Sequence, residues 1–257
     1  MKRMLLAAFA VGLLAAGPAT AADMPLKAPI MKAPMAPPFS WTGCYLGGGG
    51  GYGMFDAQTQ LFFRTGTPNV PLDQAGKGWF GTAQVGCDYQ LPTPIFYSTI
   101  VIGAFADGDW GDIHGSHTGQ DGSVGLVNGD MKLSRSWAAG GRIGYVANSS
   151  LLVYASGGYT QAFFDQVNYA NTSGVPTGLA APSQTYNGLF IGSGYEYALQ
   201  FFPGLFWKTE YRYAEYQTRN LADFNTTTGL PNGVLESTHP FVQTIRSELV
   251  WRFNWFH

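Results

Sequence analysis

Apolar and polar residues alternate with a period of two through most of this chain. In residues 44 to 54, Cys44, Leu46, Tyr52 and Met54 share one parity and glycines at 43, 47, 49, 51 and 53 hold the other. The pattern returns with Trp79, Ala83, Val85, Cys87 and Tyr89 against Gln84, Gly86, Asp88 and Gln90, and with Ile102, Ala104, Ala106 and Trp110 against Phe105, Asp107 and Asp109. Further on, Trp137, Ala139, Ile143 and Tyr145 oppose Ser136, Arg142 and Gly144, while Val153, Ala155 and Tyr159 oppose Ser156, Gly158 and Thr160. Leu189, Ile191, Tyr195 and Tyr197 stand against Gly192, Gly194 and Glu196, and Trp207, Tyr211 and Tyr213 against Lys208, Glu210 and Arg212. The last segment sets Ile245, Leu249, Trp251, Phe253 and Trp255 against Arg246, Glu248, Arg252 and Asn254. A period of two marks strands whose faces differ, so the pattern predicts eight of them.

Their connections alternate in length. Short links at 91–94, 147–150 and 200–204 separate long segments at about 57–76, 111–132, 165–184 and 217–240. Tight turns at one end and long loops at the other are the layout of an antiparallel up-and-down transmembrane β-barrel. The architecture expected is therefore all-β, eight-stranded, with short periplasmic turns and four long extracellular loops.

The run "GGGGGYG" at 47–53 matches a dinucleotide-binding fingerprint by spacing, with Asp73 where a ribose-binding carboxylate is wanted. Such a loop must open a helix, however, and the residues that follow lack an apolar helical face and meet Gly66, Pro68 and Pro71. No Lys-Ser or Lys-Thr follows to make a phosphate loop. The glycines instead form the bare side of a strand, which is favourable only where neighbouring groups approach closely, as in a narrow barrel lumen.

Composition sharpens this picture. Charged residues are 12% of the chain, about half the usual share, and aromatics are 15%. Lys2 and Arg3 precede an apolar run from Met4 to Gly17 and the small-x-small site Ala19-Thr20-Ala21, so residues 1–21 read as a signal peptide cut after Ala21. Residues 22–38, rich in proline, read as an extended periplasmic arm, and the barrel occupies 39–257. Beyond the cut, twelve basic residues face sixteen acidic ones, a formal charge near −4 that speaks against nucleic acid as a partner.

A soluble sandwich or lipocalin-like barrel would put its apolar parity inside. Here the polar parity carries charges of both signs: Asp88, Asp107, Arg142, Glu196, Lys208, Glu210, Arg212, Arg246 and Arg252. A closed polar lumen laced with ion pairs needs such a set, while the opposite parity ends in Trp and Tyr suited to the two membrane interfaces.

Taken in order, the arm, "FSWTGCYLGGGGGYG", "GRIGYV", "YASGGY", "GYEYAL", "KTEYRYAE" and the closing "VWRF" resemble the small outer-membrane β-barrel proteins of alphaproteobacteria, the porin-family or outer-membrane immunogenic type. The resemblance runs from about residue 22 to 253 and weakens in the long loops. It implies an eight-stranded barrel of the Gram-negative outer membrane, with roles in envelope integrity and surface exposure; pore activity and haem binding are credited to some relatives. It also implies an insertion signal at Phe253, with Trp251 and Leu249 on the same face, recognised by the barrel-assembly machinery. The tail "NWFH" leaves Trp255 and Phe256 as rivals for that role. Cys44 and Cys87 stand where aromatics are usual in the family.

If the strands pair as a meander, Cys44 and Cys87 come to similar height on neighbouring strands. Proximity follows; a disulfide and two free thiols both stay open. In "DGDWGDIHGSH", Asp107, Asp109, Asp112, His114 and His117 offer carboxylates and imidazoles, but at a spacing that fits no closed metal site, and the expectation is a solvated loop with no metal. His239 is expected to be solvated too. No nucleophile has an evident partner, so neither an enzyme nor a cofactor is expected. The function expected is structural: a barrel with its lumen largely plugged by charge, supporting the envelope and presenting surface loops. A small diffusion pore, or haem binding by the loops, is the alternative. Partners expected are outer-membrane lipid and, through the arm, peptidoglycan or other envelope proteins.

Overall fold

A computed structural model describes residues 40–63, 68–92, 99–121 and 125–253. The stretches read as a signal peptide (1–21) and an arm (22–38), together with Trp255 and Phe256, lie outside these residues. The described chain forms eleven strands and no helix: β1 (Gly43–Phe63), β2 (Pro68–Pro92), β3 (Thr99–Asp121), β4 (Gly125–Asn148), β5 (Leu151–Phe164), β6 (Val167–Asn171), β7 (Pro176–Ala181), β8 (Gln184–Ala198), β9 (Leu205–Tyr216), β10 (Arg219–Asn225) and β11 (Pro231–Phe253).

Eight of them close an antiparallel ring in the order β1-β2-β3-β4-β5-β8-β9-β11, sealed by β1 against β11. The apolar parity faces out, as in Leu46, Val85, Ile143, Ile191 and Ile245, all exposed. Outward Trp79 and Tyr89 lie ten residues apart on one strand and mark two aromatic girdles, matching the 9–11 residues that a tilted strand needs to cross a bilayer. Tyr52, Trp110, Trp137 and Tyr159 continue the extracellular girdle; Tyr145, Tyr197, Trp207 and Trp251 continue the periplasmic one.

The segments read from sequence as long loops are mostly strand. β1 to β4 and β11 run 21 to 25 residues, about twice a membrane crossing. Alternation simply continues: Phe55, Ala57, Thr59 and Leu61 are buried while Asp56, Gln58 and Gln60 are exposed. Its polar outer face and the Gly and Pro residues near its tip made this stretch look irregular. Above the ends of β5, β8 and β9 the gap is filled by other strands. β6 pairs with β4, β7 with β6, β10 with β7, and β11 with β10. The result is a second closed ring, β1-β2-β3-β4-β6-β7-β10-β11, stacked on the first and sharing five of its strands.

The glycine run takes its place in the first, membrane-spanning ring. A Cβ on inward Gly53 would lie 2.6 Å from Ile113 Cδ1, and one on Gly51 2.5 Å from a Phe80 ring carbon. The bare side of β1 therefore admits large side chains from neighbouring strands into the lumen.

Candidate functional site

The inward parity of the membrane ring carries a buried ionic network of six carboxylates (Asp88, Asp107, Asp109, Glu196, Glu210, Glu248) and five cations (Arg142, Lys208, Arg212, Arg246, Arg252). Near the periplasmic end Arg142 and Arg252 share Asp88 and Glu196. Arg142 donates from Nε to Asp88 Oδ1 at 2.9 Å and from Nη1 to Glu196 Oε2 at 3.1 Å. Arg252 donates to Asp88 Oδ2 at 2.7 Å, to Glu196 Oε1 at 2.7 Å and to the Trp41 carbonyl at 3.2 Å. Trp41, Tyr45 and Phe206 pack against the Arg252 guanidinium at 5.0 to 5.2 Å, so this mouth is filled by aromatic rings on a paired cation.

Midway, Lys208 donates to Gln84 Oε1 at 2.7 Å and stands 3.2 Å from Glu248 Oε2, while the Tyr154 hydroxyl donates to Glu210 Oε2 at 2.9 Å. Higher up, Arg212 grips Asp107 through a two-pronged contact at 2.9 and 2.8 Å, and Arg246 reaches Asp107 at 3.2 Å and Asp109 Oδ2 at 3.0 Å. Planar forks suit carboxylates held in a closed space. Beside Phe80, Asp109 and Ile113 a cavity of about 20 Å³ remains, room for one water.

An aromatic layer lies above the charges. Phe164 meets Phe55 at 5.4 Å and Tyr186 at 5.5 Å, both edge to face. Beyond it, inside the extracellular ring, His117 Nε2 is 2.8 Å from the Tyr169 hydroxyl, which donates to Glu236 Oε1 at 3.0 Å. Burial, and then the nearby Glu236 carboxylate, push the Tyr169 hydroxyl far above its usual range, so it stays a donor.

All nine inward charges named from the sequence lie in the lumen network. Asp109 and Glu248 belong to it as well; parity alone marks them. Leu249 and Trp251 face outward, and Phe253, the last described residue of β11, pairs with Cys44 across the seam. Cys44 and Cys87 form a disulfide between directly paired positions of β1 and β2.

The Asp–His cluster of β3 is split by the alternation. Asp107 and Asp109 bind arginines inside, Asp112 and His114 face outward, and His117 is buried. The solvated reading of His117 is thereby corrected, because β3 continues as strand past the membrane and turns this residue into the upper ring. His239 is half-buried, 3.5 Å from Glu215 Oε1. Among the described residues no three His, Cys, Asp or Glu side chains group as metal ligands.

The chain is 33% identical to the 31 kDa outer-membrane immunogenic protein of Brucella melitensis, over 98% of this chain and 100% of that protein, and equally to its counterpart in Brucella suis. No family model matches. Among solved structures, OprG of Pseudomonas aeruginosa is 12% identical with a TM-score of 0.42, covering 82% of this chain and 97% of its own. The outer-membrane protease OmpT of Escherichia coli is 8% identical with a TM-score of 0.43, covering 81% and 97%.

Proposed function

Because the chain belongs to the family of the 31 kDa outer-membrane immunogenic protein, as a β-barrel of the bacterial outer membrane, we propose that its role is structural and non-enzymatic. The barrel is occluded, it supports the envelope, and it displays an ordered extracellular ring at the cell surface. One observation carries this reading: eleven buried charged side chains cross-link the lumen and an aromatic layer lies over them. An eight-stranded barrel has an interior just wide enough for side chains to fill, and solvating an ion there would require breaking pairs that are already satisfied.

The experiment is single-channel recording of the refolded chain (22–257) in a planar bilayer, with unboiled and boiled electrophoresis to establish folding. The expected outcome is folded protein without reproducible conductance steps. Frequent steps that vanish on unfolding would make it a diffusion pore and reject occlusion.

A further inference from the structure

Outward positions of β2, β3 and β4 just above the extracellular girdle form a row in register. Lys77 is opposite His114, and His114 is opposite Lys132. Arg135 faces out beside Trp110 and lies over the Phe163 ring at 4.6 Å. Asp112 neutralises one end of the row, at 2.9 Å from Lys132 Nζ and 3.5 Å from His114 Nδ1. Lys77 and Arg135 are in ion-pair contact with no carboxylate among the described residues. A groove of about 530 Å³ opens on this wall, bordered by Met54, Lys77, His114, Phe241 and Gln243. Asp56 also borders it, one row farther from the membrane than Lys77. The next two strands around the ring differ: on β5 and β8 the same zone holds uncharged Gln161 and Asn187, joined amide to amide at 2.8 Å.

We propose that the outward arc of β2 to β4, through Lys77 and Arg135, is a docking site for the phosphate-bearing headgroup of an outer-leaflet glycolipid. Girdle aromatics sit at the headgroup level of a bilayer, so side chains one row above Trp79 meet headgroups and not acyl chains. Phosphate is the anion a lipid headgroup presents, and guanidinium and ammonium groups spaced along β2 to β4 are suited to hold it at separate points. Cations with no carboxylate in ion-pair contact among the described residues attract it, while Asp112 keeps Lys132 and His114 extended along the rim. The five-strand wall of β1 to β4 and β11 rises behind the row and gives the sugar a surface to lean on.

The test uses the full mature protein, folded in dodecyl maltoside, with bisphosphorylated lipid A as probe and bound lipid counted by native mass spectrometry. Wild type is expected to retain one lipid A, and K77Q/R135Q to bind at least about tenfold more weakly, the scale of two cations at an anionic surface. R219Q, an exposed charge on β10, is expected to bind like wild type. Dephosphorylated lipid A on wild-type protein is expected to lose as much affinity as the double variant, an arm that does not depend on the variant folding. Equal binding of the two lipid A forms, an unaffected double variant, or an equal loss in R219Q would each overturn the proposal.

Discussion

Arg246 shows how much a single side chain carries in this lumen. It is 2% exposed and bridges Asp107 on β3 to Asp109 two residues on, while Asp107 is also gripped by Arg212 from β9. Removing one partner from such a set leaves a buried charge without its counterion, which costs on the order of 3–5 kcal/mol. Arg246→Ala is expected to lower the urea midpoint of the folded barrel accordingly, and Arg246→Lys to recover only part of it, since an ammonium cannot reach two carboxylates as a fork does. Equal midpoints for Arg246→Ala and wild type would show that the network adds nothing to stability. At this scale the sequence was informative: the inward charges could be named from parity. It did not say which acid meets which base, because partners such as Arg212 and Asp107 stand 105 residues apart and meet only when the ring closes.

Strand β1 poses a problem of register. Its side chains at 47 to 51 are all hydrogen, and strands without side chains specify their pairing weakly. Yet β1 must align with β2 on one side and with β11 at the seam on the other. The Cys44–Cys87 bond sits at the periplasmic end of that stretch and pins one pairing where the glycines leave several close in energy. Cys44→Ser/Cys87→Ser is expected to cost about 2–4 kcal/mol and to reduce the yield of heat-modifiable barrel on refolding. An unchanged yield and denaturation midpoint would show that the neighbouring aromatics align the strand unaided. The existence of β1 was legible from alternation. Its full length was not, since outward Asp56, Gln58 and Gln60 resemble a solvated loop until the inward Phe55, Thr59 and Leu61 are seen to have a core to enter.

On the scale of the whole molecule, two rings share β1 to β4 and β11, and the upper one depends on β6, β7 and β10 to close. The His117–Tyr169–Glu236 contacts tie β6 to β3 and β11 inside it. Replacing residues 165–183 by a short turn is expected to leave the membrane ring folded and heat-modifiable while exposing the upper ends of β3 and β4 to added protease. Protection equal to that of the intact chain would mean that the upper ring does not need its hairpin. The chain by itself determined the membrane ring, because each strand's period of two is a local property set by which side meets lipid. Only the tertiary structure decided the second ring and the ion pairs within the first. Segments as short as the five residues of β6 carry too little pattern to declare themselves, and their hydrogen bonds and burial exist only once the long strands stand beside them.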